Sequence, residues 1–69
     1  MKISLKALRV NANMNQDVAA KKLNITKRTL QNWENYATFP SARQLLQICD
    51  VYRCDIGDIF LPDTLAKSE

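Results

Sequence analysis

The chain has 69 residues, 46% of them apolar, with ten Lys/Arg against seven Asp/Glu and a net charge of +3. That length accommodates one small domain with a thin core and excludes a second domain for a ligand or for catalysis. Histidine is absent and Cys49 and Cys54 are the only cysteines. Neither a His-based acid–base pair nor a four-ligand zinc site can be assembled, and no cofactor or enzyme activity is expected.

The charge is unevenly placed. Residues 1–43 carry eight basic side chains (Lys2, Lys6, Arg9, Lys21, Lys22, Lys27, Arg28, Arg43) and two acids (Asp17, Glu34), a net +6, whereas residues 44–69 come to −3. A positive front and a negative back suit a protein that meets a polyanion with one face. No apolar run approaches the ~20 residues of a membrane span. With no signal peptide evident, the sequence reads as a cytoplasmic protein with reduced, packed thiols rather than a secreted disulfide miniprotein.

One Gly, two Pro and the lack of strand-like alternation direct the reading to helices. Ser4 caps a first helix with Leu5 and Leu8 inward and Ile3 placed to staple onto Leu8; Asn11 and Asn13 end it. Asn15 caps a second, with Asp17 in its first turn and Ala19, Ala20 and Leu23 on one face. Asn24 suits a left-handed exit. Thr26 then caps a third helix, from about Lys27 to Asn35, which buries Leu30 and Trp33 and turns Lys27, Arg28, Gln31 and Asn32 outward. Beyond Pro40, Ser41 and Gln44 form a capping box ahead of the stripe Leu45, Ile48, Cys49 and Tyr52. Asp55 caps a short fifth helix carrying Ile56, Ile59 and Phe60 and stopping at Pro62. The expected architecture is all-α, with five helices over residues 1–62 and a flexible tail, residues 63–69, that holds one apolar anchor, Leu65.

The second and third helices, joined through Leu23-Asn24-Ile25-Thr26, read as a helix-turn-helix. Around them stand Leu5-x-x-Leu8-Arg9, Met14-Asn15-Gln16, Ala20, Leu30, Trp33-Glu34, Pro40-Ser41 and Asp55-Ile56-Gly57-Asp58-Ile59. At these spacings, from about residue 4 to residue 61, the chain resembles the phage-repressor (Cro/CI-type, or XRE) helix-turn-helix family. The resemblance implies a compact lambda-repressor-like DNA-binding domain. It places Lys27, Arg28, Thr29 and Asn32 where the recognition helix reads bases. Gln16 falls where the family has a phosphate-contacting glutamine, with Asn15 and Thr26 beside the backbone, and an Arg9–Glu34 salt bridge is implied between the first helix and the end of the third.

The side-chain chemistry agrees with base reading: Lys or Arg donates to guanine O6 and N7, Asn pairs with adenine, and a Thr methyl touches the thymine methyl. Gln31, on the outward face, and Arg43, in the first turn of the fourth helix, are further phosphate candidates. The chain also departs from the family. Tyr36 stands where glycine is usual, and Ala37, Thr38 and Phe39 where Lys and Arg are common, which leaves backbone amides and the Tyr36 hydroxyl as phosphate donors from that loop. Asn13, Asn24 and Arg53 also replace common glycines, and Arg53 would be strained in a left-handed turn.

The resulting expectation is a sequence-specific double-stranded DNA-binding regulator, a repressor of prophage or mobile-element origin. It would act as a homodimer on a palindromic operator, paired through Ile56, Ile59, Phe60 and Leu61, with RNA polymerase as a further partner. The alternative is a protein-interaction module, antitoxin-like or inhibitory, that turns the same fold toward a protein.

Overall fold

The computed structural model describes residues 2–61. It contains α1 (Leu5–Asn11), α2 (Gln16–Leu23), α3 (Lys27–Glu34), α4 (Ala42–Tyr52) and one 3-10 turn, Ile56–Asp58. Each α-helix starts at a residue whose side-chain oxygen accepts from the backbone N–H three residues on. Ser4 accepts from Ala7, Asn15 from Val18, Thr26 from Thr29 and Ser41 from Gln44, in every case from an extended backbone. The Ser41–Gln44 capping box closes in both directions.

The helix exits are made without glycine. Asn13, Asn24, Tyr36 and Arg53 all have φ between 56° and 61°, the left-handed region that costs an ordinary side chain about 1–2 kcal/mol. Tyr36, at the position where glycine is usual, holds this conformation because its ring and hydroxyl are anchored. It meets Phe60 edge-on with centroids 6.0 Å apart, lies 6.2 Å from Phe39, and donates its hydroxyl to the Phe60 carbonyl at 3.0 Å.

The core is formed by Leu5 and Leu8 of α1, Ala19, Ala20 and Leu23 of α2, Leu30 and Trp33 of α3, Ile48 and Tyr52 of α4, and Ile59. α2 packs against both α3 and α4, α1 against α3, and the 3-10 turn against α4. Ala19 and Ala20 let α2 approach its neighbours closely, and the helix-turn-helix is clasped from both sides.

The expected fifth helix is the element the structure corrects. Only three residues take a 3-10 turn, and Asp55 makes no side-chain cap. The chain instead leaves the turn extended: Ile3 donates to Asp58 at 2.7 Å and Phe60 to Ile3 at 2.9 Å, a parallel bridge of Ile3 with Ile59. Ile59 is thereby buried, while Ile56 and Phe60 remain exposed. The dimer surface expected from Ile56, Ile59, Phe60 and Leu61 is therefore not a continuous face. Ile59 belongs to the core, and Leu61 packs partly against it. The expected stop at Pro62, the tail and its Leu65 anchor lie outside the described residues.

Candidate nucleic-acid interface

α3 is eight residues long and has two chemically different sides. Leu30 and Trp33 are buried, which fixes the helix's rotation about its axis. Lys27 and Arg28 are consequently exposed in the first turn, with Thr29 and Asn32 half-exposed beside them. Cations at a helix N-terminus oppose the helix dipole, so their presence here is not explained by the helix's own stability. Among the described residues, Arg28 and the Asn32 side chain make no hydrogen bond or ion pair, which leaves their donors and acceptors open.

Lys27 is held differently. Its Nζ lies 3.5 Å from Asp17 Oδ1 across the helix-turn-helix, in a pair whose members are 50% and 73% exposed. In that setting the attraction is weak and screened. Thr29 is also engaged locally: the Thr26 hydroxyl accepts from the Thr29 N–H at 3.1 Å and donates to Thr29 Oγ1 at 2.9 Å, so the two threonines are organised as one unit at the head of α3.

Beneath α3 runs a connected polar network. Arg9 Nε donates to Glu34 Oε2 at 2.6 Å and Arg9 Nη2 to Glu34 Oε1 at 3.3 Å, a bidentate pair, while Arg9 Nη1 donates to the Met14 carbonyl at 2.9 Å. Gln16 Nε2 adds a bond to Glu34 Oε1 at 3.1 Å, and Gln31 Nε2 donates to Gln16 Oε1 at 3.3 Å. One guanidinium thus ties α1, the α1–α2 connection and the last residue of α3 together. Gln16 and Gln31 fasten the start of α2 to the middle of α3. The Arg9–Glu34 pair that the family resemblance implies is present. The partnership of Gln16 with Gln31 joins residues fifteen apart across two helices, and no local sequence pattern marks it.

The phosphate candidates divide by what their donors already do. Asn15 spends its side-chain oxygen on the Val18 N–H at 2.8 Å, which leaves its Nδ2 group without a partner among the described residues. Gln16 and Gln31 each commit one of their two amide N–H groups, and Gln16 commits its amide oxygen as well. Thr26 has given its hydroxyl proton to Thr29 and offers only its backbone N–H. Tyr36, expected as a phosphate donor, gives its single hydroxyl proton to the Phe60 carbonyl in this structure, and the side chain braces the α3–α4 loop. Arg43 is exposed and has no partner among the described residues.

Two further groups lie away from this face. The Tyr52 hydroxyl is buried with no hydrogen-bond partner, and burial, reinforced by the nearby Glu34 carboxylate, pushes its ionisation up to about 12. Cys49 and Cys54 are free thiols, each half-buried. Burial and its contact with Cys49 push the Cys54 thiol up to about 11, well away from the range of a reactive thiolate. Among the described residues no group of three His, Cys, Asp or Glu side chains is placed to hold a metal ion, and no helix is long and apolar enough to cross a membrane.

A helix-turn-helix family model matches residues 5–59, which takes in all four helices and the 3-10 turn. The chain belongs to the XRE-type helix-turn-helix family. It is accordingly a DNA-binding regulator of XRE type, in a family of regulators and not of enzymes. No curated protein matches the sequence significantly. Within the XRE-type frame, α3 is the recognition helix and α2 the helix that supports it across the backbone.

Proposed function

We propose that this XRE-type regulator represses transcription by reading a short palindromic operator as a dimer, with Lys27, Arg28, Thr29 and Asn32 at base edges. Asn15, Gln16, Thr26 and Gln31 fix the register on phosphates. The observation that carries the reading is the state of α3: a helix locked in rotation by Leu30 and Trp33 and by the Arg9–Glu34–Gln16–Gln31 network, yet presenting Arg28 and Asn32 with unspent hydrogen-bonding capacity. The helix itself is pre-organised, so docking to a groove has only the side chains at its surface left to order.

One recognition helix reads only a few base pairs, which favours two copies on half-sites about one helical turn, ~34 Å, apart. The domain measures 35 × 25 × 19 Å, so two copies side by side span that repeat. Occlusion of polymerase by the bound domain is the simplest route to repression. The prophage or mobile-element setting is part of the same proposal and rests on the resemblance to phage repressors.

The test is selection of bound duplexes from a random-sequence pool at two salt concentrations. The proposal requires an enriched two-fold-symmetric sequence and an affinity that falls steeply with salt. No enrichment with salt-independent retention would transfer the fold to the protein-binding alternative.

A further inference from the structure

The two cysteines of the chain meet where α4 ends. Arg53 follows the helix at φ 56°, and this left-handed turn folds the chain back until the Cys54 N–H reaches the Cys49 carbonyl at 3.0 Å. A helix that ends in this way brings together the two side chains on either side of that hydrogen bond, a contact that is ordinarily apolar. Here both partners are thiols, and they share a hydrogen bond. Each is half-buried, packed on the core from one side and open to solvent from the other. With Asp50, Arg53, Asp55 and Asp58 they line an open cleft of about 620 Å³.

The cleft's chemistry is selective. Three carboxylates against one guanidinium favour a cation over an anion, and paired thiols are soft ligands. The chain has no histidine and no further cysteine. Among the described residues no third His, Cys, Asp or Glu is placed to complete a metal-binding group with them, so the closed four-ligand shell of structural zinc cannot form. A soft monovalent ion is satisfied by two sulfurs in line. We infer that Cys49 and Cys54 form a two-coordinate thiolate site for a soft monovalent cation of the Cu(I) class, at the junction of α4 and the 3-10 turn.

The binding step balances without redox chemistry. One Cu(I) and two thiols give a bis-thiolate complex of charge −1, two protons pass to solvent, and no electron moves. Arg53, in the same cleft, offsets the charge of the complex. An oxidant is the other reagent that paired thiols can meet, but disulfide formation needs a thiolate to attack. Burial and the contact with Cys49 push the Cys54 thiol up to about 11, which withholds that thiolate, whereas a coordinating ion displaces the proton it finds. The bound ion clips the last turn of α4 to the segment that enters the 3-10 turn. It therefore favours the folded chain, independently of any binding to DNA.

The experiment titrates the whole chain with Cu(I), held by a competing chromogenic chelator, in the absence of oxygen. One ion per chain, release of two protons at neutral pH, protection of both thiols from iodoacetamide and a raised thermal midpoint are expected. Cys49→Ser and Cys54→Ser should each weaken uptake by more than the roughly 100-fold that loss of a mere supporting group costs a metal site, with circular dichroism reporting their folding. The stoichiometry, proton count and thiol protection are read on the native chain and decide the matter even where a variant does not fold. Half an ion per chain, fewer than two protons released, alkylation unaffected by Cu(I), or Zn(II) held as tightly as Cu(I) would each overturn the inference.

Discussion

Replacing Arg9 by methionine probes the junction that holds the recognition helix. The Arg9 and Glu34 side chains are 9% and 4% exposed and meet at 2.6 Å. Methionine refills the hydrophobic part of the space but leaves the Glu34 carboxylate buried with Gln16 as its remaining donor, and it orphans the Met14 carbonyl. Breaking a buried pair on one side costs about 3–5 kcal/mol. A domain of this length has a total stability of only about 3–10 kcal/mol, at roughly 0.05–0.15 kcal/mol per residue. Arg9→Met should therefore remove most of the margin, moving the urea midpoint by about 3 M at the slope of about 1 kcal/mol/M usual for so small a protein, or leaving no folded baseline. Arg9→Met with Glu34→Leu removes both charges and should recover to within about 2 kcal/mol of the parent, because the penalty of the single variant is mainly the stranded carboxylate. Urea unfolding followed by Trp33 fluorescence measures all of this. A single variant within about 1 kcal/mol of the parent, or a double variant no better than the single, would refute the reasoning.

Other consequences are as direct. Tyr52→Phe deletes a buried hydroxyl that has no partner and should raise stability by about 1 kcal/mol, read as a higher thermal midpoint. Folding raises the ionisation of Cys54 from 9.0 to about 11 and of Tyr52 from 10.0 to about 12. The unfolded chain thus loses these protons first, and stability should be intact below pH 9 and fall between about pH 9 and 12, with Tyr52→Phe removing the upper part of the fall. Arg53→Gly relieves a side chain held at φ 56°; set against glycine's entropy in the unfolded chain, a gain of about 0.5–1 kcal/mol is expected in thermal unfolding. Asp17→Asn frees Lys27 from its carboxylate. Random duplex should then bind more tightly and with a salt slope steeper by about one unit, measured by fluorescence anisotropy across a salt series.

What could be read from the sequence was what is local along the chain. Ser4, Asn15, Thr26 and Ser41 cap their helices because a cap is settled between residues three apart, and Leu30 with Trp33 announces the inner side of α3 by helical spacing alone. Asp55 carries the same local signal, yet the helix it would start is displaced by the bridge between Ile3 and Ile59, a competition between segments more than fifty residues apart. That bridge also removes Ile59 from the expected dimer surface. At the candidate site the outward face of α3 was legible from composition. Its restraints were not: Asp17 with Lys27 and Gln16 with Gln31 meet only because α2 and α3 cross. Tyr36 shows a similar limit. Its left-handed turn was foreshadowed by the glycine usual at that position, but the hydroxyl bond to Phe60 that occupies its donor depends on where the end of the described chain lies.

Repeating the random-duplex selection with Arg28→Ala and Asn32→Ala tests most directly whether α3 reads base sequence. Each side chain is unpaired among the described residues and lies outside the core, so both variants should fold as the parent does. Each should relax the preference at one position per half-site, at a cost of about 1–3 kcal/mol there, and leave the other positions as before. A uniform loss of affinity on every sequence, with the preferred site unchanged in both variants, would contradict base reading by this face.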